Sequence, residues 1–138
     1  MVITSYIDNN TKGNCDIINI TPQVEQKLAK AEINSGIINV FITGSNAGIN
    51  TIEFEPGVLT DFREMWERIT PRNISYKHDF RWGDGNGYSH VRASILGASL
   101  TIPFNSKKLT LGTWQQIVIV DFDNRPRTRQ IILQIMGD

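Results

Sequence analysis

Hydrophobic and polar positions change period several times along this chain, and each change marks an element. Val2–Ile7 and Cys15–Ile20 are short apolar-rich runs on either side of the turn Asp8-Asn9-Asn10-Thr11-Lys12-Gly13, which predicts two strands. Thr21-Pro22 then opens a helix, with Thr21 as N-cap and Pro22 pre-set at the first helical position. Val24, Leu28 and Ala31 share one face of it, and Gly36 is the expected stop. Ile37–Thr43 reads as a buried strand, followed by the turn Gly44-Ser45-Asn46-Ala47-Gly48. Ile49–Glu55 alternates, with Glu53 and Glu55 on one side, as a half-exposed strand does. Pro56-Gly57 begins a second helix whose apolar stripe is Val58, Phe62, Met65, Trp66 and Ile69, and Pro71 ends it.

Further on, Ile74–His78 has strand character, and Asn86 is placed to cap a short third helix over Gly87–Leu96, closed by Gly97. Ser99–Pro103, Gln115–Phe122 and Arg127–Ile135 complete the predicted strands. The unbroken run Ile117-Val118-Ile119-Val120 must be covered on both faces, by core or by another subunit. Asp121 and Asp123 precede the turn Asn124-Arg125-Pro126, and Arg127 and Arg129 follow it. An antiparallel hairpin there would set Asp123 against Arg127 and Asp121 against Arg129, at about 0.2–1 kcal/mol per pair. Helices set among antiparallel-looking strands predict an α+β fold, one domain over residues 1–138.

Charge removes some partners from consideration. Fourteen basic and fourteen acidic residues cancel, so the basic footprint of nucleic-acid binding is missing. No apolar run approaches the roughly 20 residues of a membrane span, and the start lacks a basic-then-apolar signal, so a cytoplasmic protein is the expectation. Cys15 is the one cysteine, which rules out an intrachain disulfide and favours a small buried hydrophobe over a catalytic thiol.

The candidate chemistry is concentrated between His78 and His90, the two histidines of the chain. Between them lie Asp79, Asp84, Asn86 and the alternating glycines Gly83, Gly85 and Gly87. A helix starting at Asn86 points its unpaired N–H groups at the glycine loop, and such a terminus attracts phosphate or carboxylate. His78 and His90 would supply two nitrogen ligands and Asp79 or Asp84 an oxygen, leaving an open position as catalytic zinc sites do. The competing interpretation makes both histidines capping or hydrogen-bonding residues beside a glycine-rich turn. Asp84-Gly85-Asn86-Gly87 is not an EF-hand, because the required twelfth-position glutamate is Ile95. Ser45 and Asn46, in the glycine-flanked loop, are either ligand contacts or hairpin turn residues. Trp114, at the entrance to a strand, is either packing or a pocket wall.

Several blocks of these residues resemble the YjbQ-like proteins, often called secondary thiamine-phosphate synthases. They are Tyr76-x-His78-Asp79, Gly83-Asp84-Gly85-Asn86-Gly87-x-Ser89-His90-Val91-Arg92-Ala93-Ser94-Ile95-Leu96-Gly97, Ser99-Leu100-Thr101-Ile102-Pro103, Leu111-Gly112-Thr113-Trp114-Gln115 and Asp123-x-x-Pro126-Arg127-x-Arg129. The resemblance implies an α+β fold with a β-sandwich-like antiparallel core, two longer helices and one short helix, assembled as a homotrimer with clefts between subunits. It also implies a pocket holding a divalent metal, zinc or magnesium, in which His78 and His90 match family histidines and Asn86 a family asparagine. Trp114 and Arg127 match further family positions. The family pattern often carries His-Thr-Thr-Ala where this chain has Gly44-Ser45-Asn46-Ala47, so the third histidine is missing and Asp84, Glu53, water or substrate must fill its place.

The resulting expectation is a transferase for phosphorylated small molecules, joining a pyrimidine pyrophosphate to a thiazole phosphate to give thiamine phosphate and pyrophosphate. His78, His90 and Asp84 would be catalytic, with His78 and His90 on the metal. Ser45, Asn46, Gly85, Asn86, Gly87, Trp114 and Arg127 would contact substrate. The alternative is a trimeric module that binds a phosphorylated metabolite without turning it over.

Overall fold

The computed structural model describes residues 1–138 and places eight strands and four helices along them: β1 Val2–Thr11, β2 Asp16–Asn19, α1 Thr21–Lys30, β3 Gly36–Ile42, β4 Ala47–Glu53, α2 Pro56–Ile69, α3 Lys77–Trp82, α4 Gly87–Leu96, β5 Ser99–Asn105, β6 Lys108–Leu109, β7 Gln115–Asp121 and β8 Arg127–Gly137. The strands make two sheets, ordered β1-β8-β3-β5-β6 and β2-β7-β4, and every pairing is antiparallel. The expected α+β class is therefore found.

The sheets face each other across the larger core. Ile38, Val40 and Ile42 of β3 and Ile131, Leu133 and Ile135 of β8 meet Ile49 of β4 and Ile117 and Ile119 of β7, and α1 closes the same cluster with Val24 and Leu28. Val118 and Val120, on the opposite face of β7, join Trp66, Phe122 and Ala93 in a second cluster under α2 and α4. β7 is thus covered on both faces within one chain, which is why its four residues Ile117–Val120 can all be apolar. The far face of the five-stranded sheet has no such cover.

Several sequence expectations change: α1 ends at Lys30, and Gly36, the expected stop, opens β3. Ile74–His78 is not a strand: the chain turns there, and α3 begins at Lys77 with Asp79 in its first turn, Arg81 in its last and Gly83 in the left-handed C-cap conformation. Those are helix-start and helix-stop signals that outweigh a short alternation whose Ile74 is exposed. A fourth helix therefore joins the three expected. The turn expected over Asp8–Gly13 is shorter, because β1 runs on to Thr11; β1 lies against β8 and β2 against β7. Thr21 lies inside α1 rather than capping it, and its hydroxyl accepts from the Ile117 amide at 2.7 Å. Finally, β7 and β8 belong to different sheets, so Phe122–Pro126 crosses between layers and is not a hairpin turn.

Candidate functional site

The start of α3 and the N-terminal half of α4 are brought together by the absence of a side chain. A Cβ at Gly87 would stand 2.7 Å from Tyr76 Cβ and 3.2 Å from His78 Cβ, so glycine is needed for the two helices to approach. The Gly87 amide donates to Asp79 Oδ1 at 2.9 Å. Asp79 is therefore the side-chain cap of α4, occupying the anion position that the sequence assigned to a ligand phosphate. The two roles expected for Gly87 and Asn86 as a phosphate cradle are corrected accordingly. Asn86 sits at the N-cap position but makes no side-chain cap bond, and its Nδ2 donates to Asp123 Oδ1 at 3.1 Å. Gly85 stays exposed on the rim in a left-handed conformation.

This approach gathers the titratable groups. His78 Nδ1 lies 3.3 Å from Asp79 Oδ1 and 3.6 Å from Asp84 Oδ1, and one ligand atom from each of the three falls within 4.8 Å of the others. Donor atoms around a tetrahedral zinc with bonds of about 2.0–2.2 Å stand roughly 3.3–3.6 Å apart, the range of the two His78–carboxylate spacings, so the donor types suit a divalent cation. The His90 ring lies 4.6 Å from that of His78, centroid to centroid, tilted by 42°. His90 Nδ1 is 3.1 Å from the Ser45 carbonyl oxygen. A carbonyl only accepts, so Nδ1 carries the proton and Nε2 of the neutral ring keeps its lone pair. Ser45 is thus at the site, contributing its carbonyl.

Beneath this cluster lies a buried ionic network. Arg129 Nε donates to Asp121 Oδ2 at 2.7 Å and its Nη2 to Asp121 Oδ1 at 3.0 Å and to Asn46 Oδ1 at 2.6 Å. Arg127 Nε donates to Asp123 Oδ2 at 2.6 Å. Both carboxylates are fully buried. The partners are those expected from sequence, but they tie the two sheets together instead of facing each other across a hairpin. Burial alone pushes the Asp123 carboxyl up, and hydrogen bonds from Asn86, Arg127 and the Asn124 amide outweigh it, holding the group at about 2. Asn46 Oδ1 and Arg127 Nε are therefore engaged in the scaffold under the site. Asn86 Oδ1 is buried without a partner.

Trp114 does not join the site within one chain. It is 74 % exposed and lines a groove with Phe54 and Glu53, at the end of β7 opposite Asp121, roughly 20 Å away at about 3.3 Å per residue. Glu53 pairs with Gln115 at that same distant end and cannot replace the missing histidine in this subunit. Glu55 caps α2, accepting from the amides of Gly57 and Val58, and those bonds hold its carboxyl below the usual range. Asp79 is the residue whose importance the sequence understated; its signal was its position in the first turn of an unrecognised helix.

The family model described as UPF0047 protein YjbQ-like matches residues 5–138. The chain belongs to the UPF0047 YjbQ-like family. Among UPF0047 relatives, a protein of Archaeoglobus fulgidus is 37% identical over 126 residues, covering 91% of this chain and 95% of its own. One of Methanothermobacter thermautotrophicus is 36% identical over 136 residues, covering 99% and 93%. The YjbQ-like fold is also seen in a crystal structure of a YbjQ-like protein of unknown function from Sulfolobus solfataricus P2, with TM-score 0.90, 31% identity and full coverage of both chains. A hypothetical protein of Aeropyrum pernix K1 superposes with TM-score 0.90 at 28% identity over 99% of each chain.

Proposed function

We propose that this YjbQ-like chain is a cytoplasmic, homotrimeric, metal-assisted transferase for phosphorylated small molecules, of the thiamine-phosphate synthase type. The observation that carries the reading is the placement of His78 Nδ1 at 3.3 and 3.6 Å from two carboxylates, beside a second imidazole. His78, Asp79 and Asp84 would hold zinc or magnesium. Such an ion supplies charge neutralisation for a departing pyrophosphate. His90, with its Nδ1–H fixed on Ser45, presents Nε2 to the site, where as an imidazolium it would donate to an oxygen of the departing pyrophosphate. Asp79 keeps α3 and α4 in register while facing His78, and Asp84, half exposed, stands at the mouth. In the reaction the bond between the pyrimidine methylene carbon and pyrophosphate breaks, and the thiazole nitrogen bonds to that carbon.

Self-association is supported by the uncovered face of the five-stranded sheet. Val2, Met136 and Ile37 form one exposed apolar row across β1, β8 and β3, and Tyr6, Ile132 and Phe41 form a second. Phe80 and Trp82 on α3 are 78 % and 65 % exposed beside the site. Apolar surface of this extent on a small chain marks an interaction site. A trimer by native mass spectrometry is the expected state, and a stable monomer at micromolar concentration sinks the assembly.

Metal content and turnover test the chemistry together. Purified protein should hold about one divalent ion per chain, lost in His78→Ala and Asp84→Ala, while His90→Ala keeps the metal and loses thiamine phosphate formation. Protein that takes up no divalent ion, together with His78→Ala protein that forms thiamine phosphate at the parent's rate, would remove the metal-centred mechanism. The binding module is the second reading, favoured by Gly44 at the place of the family histidine. Metal-loaded protein that binds both phosphorylated substrates and forms no product would establish it.

A further inference from the structure

Tyr88 and Arg92 lie one turn apart on α4, and His90 lies about 200° around the helix from each. The face they share looks away from the histidines, toward α2 and the turn Asn14-Cys15. Between them is a cavity of about 190 Å³ into which Arg63, Arg72 and Arg92 converge. No part of the His78–His90 cluster lines it.

Each of the three guanidinium groups is anchored through its Nε. Arg63 is anchored by Nε on the Cys15 carbonyl at 3.2 Å, and Arg72 by Nε on Glu67 Oε1 at 3.0 Å. Arg63 has no terminal nitrogen on a protein acceptor, and the Arg72 guanidinium also reaches the Tyr88 hydroxyl. Arg92, buried, is fixed by Nε on the Thr70 carbonyl at 3.0 Å and by Nη2 on Glu67 Oε1 at 2.9 Å, with its plane 5.0 Å over the Tyr88 ring. Glu67 is therefore neutralised by two of the arginines, which hold its carboxyl down against partial desolvation. Glu64 is the remaining acid at the rim, leaving the lining with three cations against two anions. The far wall is neutral. Burial pushes the Cys15 thiol up to about 11, so it stays protonated and repels no anion. Asn14 and Cys15 both adopt left-handed backbone conformations to form that wall.

Guanidinium groups anchored through Nε present a two-pronged edge of N–H donors, the geometry that matches a phosphate or carboxylate oxygen pair. We propose that this cavity is a second ligand site, taking the phosphate group of a small phosphorylated molecule on the terminal nitrogens of Arg63 and Arg72 above the fixed charge of Arg92. The site is independent of the metal reading, because it shares only the α4 backbone with it.

Titration calorimetry of inorganic phosphate into full-length protein stripped of metal on a chelating resin tests the assignment. Saturable binding is expected, weakened at least about tenfold by Arg63→Gln and by Arg72→Gln, the loss anticipated when a charged hydrogen-bond donor is removed. Both side chains are solvent-accessible, so the variants should keep the parent's melting temperature. Arg68→Gln, which removes an exposed α2 charge outside the cavity, and His78→Ala should leave affinity unchanged. No saturation, an undiminished affinity in the Arg63→Gln/Arg72→Gln double variant, or an equal loss in Arg68→Gln overturns the site. Acetate binding as tightly as phosphate overturns the choice of phosphate.

Discussion

The imidazole rings of His78 and His90 stand 4.6 Å apart although they belong to different helices. What holds them there is Asp79, whose carboxylate faces His78 Nδ1 and accepts the first free amide of α4. A single side chain thus couples helix packing to the chemistry of the site.

Asp79 and Asp84 should separate these two contributions. Asp79→Ala removes a helix cap and should lower unfolding stability by about 0.5–2 kcal/mol as well as metal uptake. Asp84→Ala, whose side chain is half exposed, should lower metal uptake with stability within about 0.5 kcal/mol of the parent. Urea unfolding and metal titration on both variants measure the difference; equal stability losses would deny Asp79 its capping role.

Asp121 and Arg129 form the inter-sheet tie, and it should break expensively. Asp121→Ala leaves the Arg129 charge buried without its carboxylate and removes the acceptor of the Thr11 hydroxyl. A loss of about 3–5 kcal/mol by denaturant unfolding is expected. A loss below about 1 kcal/mol, the range of exposed pairs, would show that the network is solvated.

Asp123 should contribute an acid-side dependence of stability. Its folded carboxyl titrates at about 2 against an ordinary value of 3.8, so the folded state releases its proton more readily than the unfolded chain. The contribution, roughly 2 kcal/mol, is complete above the unfolded value and is lost as pH falls from there through the folded one. Asp123→Asn should flatten the pH dependence of the urea midpoint in that window. An unchanged slope would assign acid sensitivity to other groups.

Cys15 should be inert in the folded protein. Burial raises its thiol to about 11, partly offset by Arg63 and Arg92. Iodoacetamide at neutral pH should modify it only after unfolding, followed by intact mass. Rapid labelling of the native protein would show that the turn at Asn14-Cys15 opens.

Gly44 should resist replacement by histidine. Its φ is +113°, and a Cβ would stand 2.6 Å from Arg129 Nη1. Gly44→Ala should cost about 1–3 kcal/mol through backbone strain and displacement of Arg129. Gly44→His should lose stability likewise without raising metal affinity; tighter metal binding in a stable Gly44→His protein would contradict this.

Where elements begin and end was largely legible in the residues themselves. α4 spans the Gly87–Leu96 range read from Asn86 and Gly97, and α2 starts at Pro56 as its Pro-Gly opening indicates. β7 is doubly buried as its unbroken apolar run requires. The pairs Asp121–Arg129 and Asp123–Arg127 were also legible as complementary charges at matched spacing. The missed helix, α3, is only six residues long with no buried side chain, so no hydrophobic period was available to reveal it.

By itself the sequence determined the α+β class, the family and the candidate segment between His78 and His90, because apolar period, capping residues and motif spacing are local properties. Tertiary structure alone decided which groups share that site. The sheet to which a strand is added depends on contacts far away along the chain, and that choice placed β8 opposite β7, burying Arg129 and Asn46 beneath the site. It also turned Asp79 toward both His78 and Gly87, and left Trp114 at the far end of β7. Each of these follows from packing across layers, where side chains distant in sequence compete for the same space and the same hydrogen bonds.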